Sequence, residues 1–255
     1  MRFPALLLII CISANACISQ GYGFAAEPEG CLMELPATGP GDVVLQYEGF
    51  TLKYNTPRLI PDWVAYELTA EELEGNLDRS GSFGMDMGYK GRQAMREDYS
   101  NSGWDKGHMA PAADMKWSRK AMEQSFYLTN ICPQDHDLNS KAWNTLEKYV
   151  RDWARRYGRV WVVCGPYVSE GQVRTIGSRK VTVPDGFFKA VLRHDKSGYH
   201  SLAFLFENNS GKQPVKKAIV SVNEVEALTG FDLFTGLDDA IEEEIEAQTS
   251  WSAWN

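Results

Sequence analysis

One strongly amphipathic helix and the apolar runs around it constrain this chain most. Trp143, Leu146, Val150, Trp153, Ala154 and Tyr157 recur at helical spacing, with Lys141, Lys148, Asp152 and Arg155 off the stripe and Gly158 as the stop. So broad an aromatic stripe has to be buried against apolar strands. Runs with strand character occur at 43–45, 50–54, 63–68, 126–132, 160–164, 186–194 and 200–206. Short helices are expected after Thr69, with Glu72 completing a capping box, from Ser118 through Ser125, and from Asn223 to Leu228 before Gly230. Strands and helices are interspersed without a regular alternation, which predicts an α+β fold with a mainly antiparallel central sheet flanked by helices.

The ends read differently from the middle. Met1 and Arg2 lead into an apolar run from Phe3 to Ile12 and then Ser13-Ala14-Asn15-Ala16, a pattern that predicts a signal peptide over 1–16. The run is too short to span a bilayer, so the expectation is an exported chain, secreted or periplasmic, with no transmembrane segment once mature. Cys17 follows the cleavage site and offers a lipid anchor, although Ala14 stands where such signals prefer Leu. Residues 17–42 are rich in Pro and Gly and read as a linker or extended arm, 43–237 as one domain, and 238–255 as an acidic C-terminal tail. Cys132 and Cys164 sit in apolar runs and are expected as small buried residues rather than a bridge.

The formal net charge of −8 argues against a phosphate-bearing ligand. Six carboxylates lie within Asp238 to Glu246, however, and without them the body is only slightly acidic, which leaves room for a local basic cleft.

Chemistry concentrates in one block. The polar, Gly-rich stretch from Asn76 to Ser102 is long enough to be a functional loop, and Asp105-Lys106-Gly107-His108 follows it. About thirty residues on, Asn139 opens the amphipathic helix, with Glu147 eight residues later. In an α-helix these two differ by roughly 80° about the axis and about 12 Å along it. Taken singly, each has a structural explanation: His108 in a turn, Asn139 as an N-cap, Glu147 as a surface partner of Arg151, Arg79 as a loop cation.

Together, DKGHMAPAADM, FYLTNICPQ and LNSKAWNTLEKYVR closely resemble the DNA/RNA non-specific endonuclease family, in a match running from about Tyr54 to Gly230. The resemblance implies a ββα-metal active site binding Mg²⁺, with Mn²⁺ as a substitute. It implies His108 as general base, Asn139 as direct metal ligand, Glu147 as holder of metal-bound water, Asn130 as an active-site residue, and Arg79 and Lys106 as phosphate contacts. Lys106 departs from the family's usual Arg, keeping the charge but not the bidentate geometry. DNA and RNA are the implied partners, with 5′-phosphate and 3′-hydroxyl products and a homodimer left open. The alternatives are a catalytically weak nucleic-acid-binding homologue and a narrower phosphodiesterase.

Overall fold

The computed structural model describes residues 33–255. The expected signal peptide, Cys17 and most of the 17–42 arm lie outside them. Seven strands form one antiparallel sheet: β1 (Val44–Gln46), β2 (Thr51–Asn55), β3 (Ile60–Thr69), β6 (Arg159–Tyr167), β9 (Gly186–Asp195), β10 (Gly198–Glu207) and β11 (Ile219–Val220), adjacent in that order. Two pairs stand apart from it: β4 (Asp105–His108) with β5 (Ile131–Gln134), and β7 (Thr175–Ile176) with β8 (Val181–Thr182).

Residues of β9 alternate between the two faces of the sheet. Phe187, Lys189 and Val191 face the helix α2 (Asn144–Tyr157), where Trp143 meets Phe187 and Phe206, and Trp153 stacks on Phe204. The stripe read from the sequence is therefore the seam between helix and sheet. On the opposite face, Phe188 meets Phe231, α3 (Val222–Thr229) packs against β9 and β10, and α4 (Asp239–Glu246) packs against β10.

The cap signals form as expected. Thr69 and Glu72 exchange hydrogen bonds, and Ser118 accepts from Ala121 N at the start of α1 (Arg119–Ser125). One strand is shorter than its sequence suggests: Phe126 to Cys132 is apolar throughout, yet Leu128–Asn130 winds into a 3₁₀ turn and β5 begins only at Ile131. Continuous apolarity marks burial, and a buried turn satisfies it as well as a buried strand. Cys132 and Cys164 are both buried free thiols.

The arm at 33–42 runs along the body, with Ala37 N donating to Asp232 O and Thr235 Oγ1 to Leu35 O. In the acidic tail, α4 buries Ile245 and Glu246, and Trp254 is 1% exposed, packed on Trp153. Among the described residues no helix is long and apolar enough to cross a membrane.

Candidate active site

The small β4–β5 hairpin and the helix after it build the site. Gly107 lies opposite Cys132, and a Cβ at Gly107 would fall 2.2 Å from Gln134 Oε1 and 2.7 Å from Gln134 Cβ, so only glycine lets the two strands close here. That closure fixes His108, the last residue of β4.

After β5 the chain turns at Asp135, whose Oδ1 accepts from Asp137 N at 2.8 Å and Leu138 N at 3.2 Å. Asp135 therefore caps the helix, and Asn139 is released from the capping role its position suggested. Leu138–Trp143 then winds as a π-helix before the regular α2 begins. Its i→i+5 bonding takes more residues per turn, so each step rotates less than an α-helical step. This removes much of the roughly 80° offset expected for a regular helix and brings Asn139 and Glu147 toward one line.

A cavity of about 430 Å³ receives these residues: Arg79, Lys106, His108, Asn139, Glu147 and Arg151 line it, together with Lys116 and Asn144. His108 Nε2 is buried without a hydrogen-bond partner, and the ring lies between Phe83 and Phe126 at centroid distances of 5.2 and 5.0 Å. Burial, then the neighbouring Arg79, pushes the His108 pKa down to about 3. The imidazole is therefore neutral at ordinary pH, with a nitrogen free to accept a proton.

Asn139 Nδ2 donates to Asp105 Oδ2 at 2.9 Å, and His136 Nδ1 meets the same oxygen at 2.9 Å. A carboxylate only accepts, so this contact assigns the amide nitrogen and leaves Asn139 Oδ1 as the acceptor available to the cavity. Burial raises Glu147 to about 7, against the pull of Lys189, Arg151 and Arg79 and with a further push from Asp114. Arg151 does not pair with Glu147; its Nη1 donates to the fully buried Asp114 at 2.7 Å, and Tyr66 OH donates to the same carboxyl at 3.1 Å. Lys189 is 0% exposed, with its Nζ 4.5 Å from the centre of the Trp143 ring.

Lys106 lies at the cavity edge, its Nζ 5.6 Å from the Phe83 ring centre and 5.4 Å from that of Tyr99, and Arg79 sits 5.6 Å from the Phe126 ring. Asn130 is placed differently from the expectation and does not line the cavity. It is 0% exposed, and its amide is spent on Ala110 O (2.9 Å), Ser125 O (2.8 Å) and Ala110 N (2.9 Å). Asn130 thus supports the backbone two residues past His108. Sequence reasoning underrated Asp105 and Arg151 and passed over Asp114 and Lys116; Arg151 alone left a signal, one helical turn beyond Glu147.

The donor set suits a hard cation. Among the described residues no three His, Cys, Asp or Glu side chains converge as a metal cage. The amide oxygen of Asn139 and the carboxyl of the half-buried Glu147 line one cavity, and such oxygen donors suit a hard divalent cation that takes few protein ligands.

The chain is similar to known nucleases in sequence and in fold. Over 209 residues the chain is 36% identical to human mitochondrial nuclease EXOG, covering 75% of this chain and 57% of that protein. Over 197 residues it is 34% identical to human mitochondrial endonuclease G, covering 72% and 66%. A nuclease of Nostoc sp. is 30% identical over 221 residues, covering 82% of this chain and 79% of that one. A solved structure of an EndoG/EndoGI complex superposes with a TM-score of 0.76 at 27% identity, covering 85% of this chain and 95% of that chain. The profile of the DNA/RNA non-specific endonucleases matches residues 30–240, and the chain belongs to that family.

Proposed function

We propose that the chain is a divalent-metal-dependent endonuclease that hydrolyses phosphodiester bonds in DNA and RNA to 5′-phosphate and 3′-hydroxyl ends. The observation that carries this reading is the convergence, on one cavity, of a neutral His108, the free amide oxygen of Asn139, Glu147 and the cations Arg79, Lys106 and Arg151. His108 takes the proton from an attacking water, which a neutral imidazole with an unshared nitrogen is equipped to do. The three cations neutralise the phosphate and the charge that builds on it. Asn139 and Glu147 would hold Mg²⁺, or Mn²⁺ in its place, Asn139 directly and Glu147 through water. When bound, the ion supplies Lewis-acid stabilisation of the phosphorane-like transition state and of the leaving 3′ oxygen. All of these groups address phosphate, so little base preference is expected.

The test is an assay of purified protein on plasmid, linear DNA and RNA, with EDTA and then with Mg²⁺ or Mn²⁺ restored, followed by end-labelling. Loss of cleavage in EDTA and 5′-phosphate ends are expected. Full activity in EDTA, or 2′,3′-cyclic phosphate ends, overturns the mechanism.

We also infer export, on the basic start, apolar run and small-residue site at 1–16. N-terminal sequencing of the mature protein checks it: a start at Met1 refutes it, and a modified Cys17 marks the anchored form.

A further inference from the structure

The net charge of −8 hides a basic surface. Arg58, Arg92, Arg174, Arg179 and Lys180 come from three separate stretches of sequence and meet in space. Arg92 donates to Pro57 O (3.4 Å) and to Arg179 O, Arg179 Nη1 donates to Gln93 O (3.3 Å), and Thr182 N donates to Arg58 O (3.0 Å). Val183 N donates to Arg174 O at 2.8 Å, which fixes the base of the β7–β8 hairpin carrying the last three cations. Arg179 is half-buried and the other four are exposed.

None of the five forms an ion pair within the described residues, whose salt bridges all lie elsewhere. Arg92 and Arg179 are held by backbone carbonyls and Arg174 lies over a ring, partners that do not cancel their charge. Clustered cations repel one another, so an arrangement that fixes three of them and leaves all five without an ion pair is suited to an external polyanion.

Two contacts tie this surface to the segment that leads into the active site. Arg174 lies 5.2 Å from the Trp104 ring centre, and Trp104 immediately precedes Asp105, the residue that orients Asn139. Lys106 of the cavity rests over Tyr99, and in the same turn Asp98 Oδ1 accepts from Arg179 N at 3.0 Å. Gly177, at φ 67°, lets the hairpin dock there: a Cβ would fall 2.3 Å from Asp98 Oδ1 and 2.5 Å from its Cα.

We propose that this surface carries the phosphodiester backbone of a nucleic-acid substrate beyond the scissile phosphate, an inference that rests on the nuclease reading above. The occupant's chemistry is a continuous polyphosphate backbone, read without base contacts.

Arg58→Gln, Arg174→Gln and Lys180→Gln combined remove three charges whose side chains make no internal hydrogen bond or ion pair among the described residues. The control combines Arg155→Gln, Arg156→Gln and Lys196→Gln, which change the net charge equally at the other end of the sheet. On a 40-base-pair duplex the first variant should raise KM about tenfold and flatten the salt dependence of log affinity by about two to three. Its turnover of a dinucleotide, too short to reach the surface, should match wild type, and the control should match wild type on both.

An unchanged KM and salt slope, an equal change in the control, or parallel loss on the dinucleotide overturns the proposal. So does loss of binding to phosphatidylglycerol vesicles with duplex binding intact. A wild-type protein that cleaves neither substrate refutes the nuclease reading instead, and duplex binding by fluorescence anisotropy then tests the surface alone.

Discussion

Asp105 Oδ2 accepts the side-chain amide of Asn139 at 2.9 Å across 34 residues of sequence, and this contact occupies the amide nitrogen and leaves the amide oxygen as the acceptor available to the cavity. Groups that orient a ligand typically govern 10- to 100-fold in metal affinity. Asp105→Ala should therefore weaken Mg²⁺ binding by about that factor with the fold intact, as read by metal titration alongside circular dichroism. Wild-type affinity in this variant would show that Asn139 needs no such orientation.

His108→Ala should lower turnover by a factor of about 10² to 10⁴ while leaving nucleic-acid binding near wild type. Steady-state kinetics and anisotropy on the same protein separate the two. A folded variant cutting at the wild-type rate removes His108 from the mechanism.

The lowered pKa of His108 has a sign that stability measurements can read. Between about 3, its folded value, and the ordinary histidine value of 6.5, the unfolded chain carries a proton that the folded chain does not. Stability therefore rises with pH through that window, and the penalty is complete below about 3. Denaturation of both proteins across pH 4 to 7 should show the stability of wild type relative to His108→Gln rising with pH, a difference in which the contributions of other groups cancel.

Glu147 behaves in the opposite sense. Raised from 4.5 to about 7, it binds its proton more tightly folded than unfolded, so its contribution to stability is present below 4.5 and lost as pH rises through 7. In the proposed mechanism the ionised form is the useful one. The acid limb of kcat/KM should therefore follow Glu147 rather than His108, and a cation beside the carboxylate should draw its midpoint downward as Mg²⁺ increases. Profiles at two Mg²⁺ concentrations with the same midpoint would contradict this.

Asn130→Ala should cost about 2–3 kcal/mol, because it strands the buried backbone groups of Ala110 and Ser125. Activity should fall with it through displacement of the segment after His108. Chemical denaturation gives the first number; a loss below about 0.5 kcal/mol would show that the bonds are replaced.

Much was legible in the sequence because it is local. The stripe Trp143, Leu146, Val150, Trp153 is set by helical periodicity, the capping pair Thr69–Glu72 by its spacing of three, and His108, Asn139 and Glu147 by their run of neighbours. Tertiary structure decided the rest. Whether Asn139 caps a helix or faces a cavity depended on Asp135 taking the cap and Asp105 taking the amide. The alignment of Asn139 with Glu147 depended on a π turn that no periodicity announces. The inward turn of Asn130, the pairing of Arg151 with Asp114, and the gathering of Arg58, Arg92 and Arg179 join residues 20 to 121 positions apart. Propensity and hydrophobic pattern act over a few residues, whereas the partner of a polar group is chosen by whatever the packed sheet brings within about 3 Å.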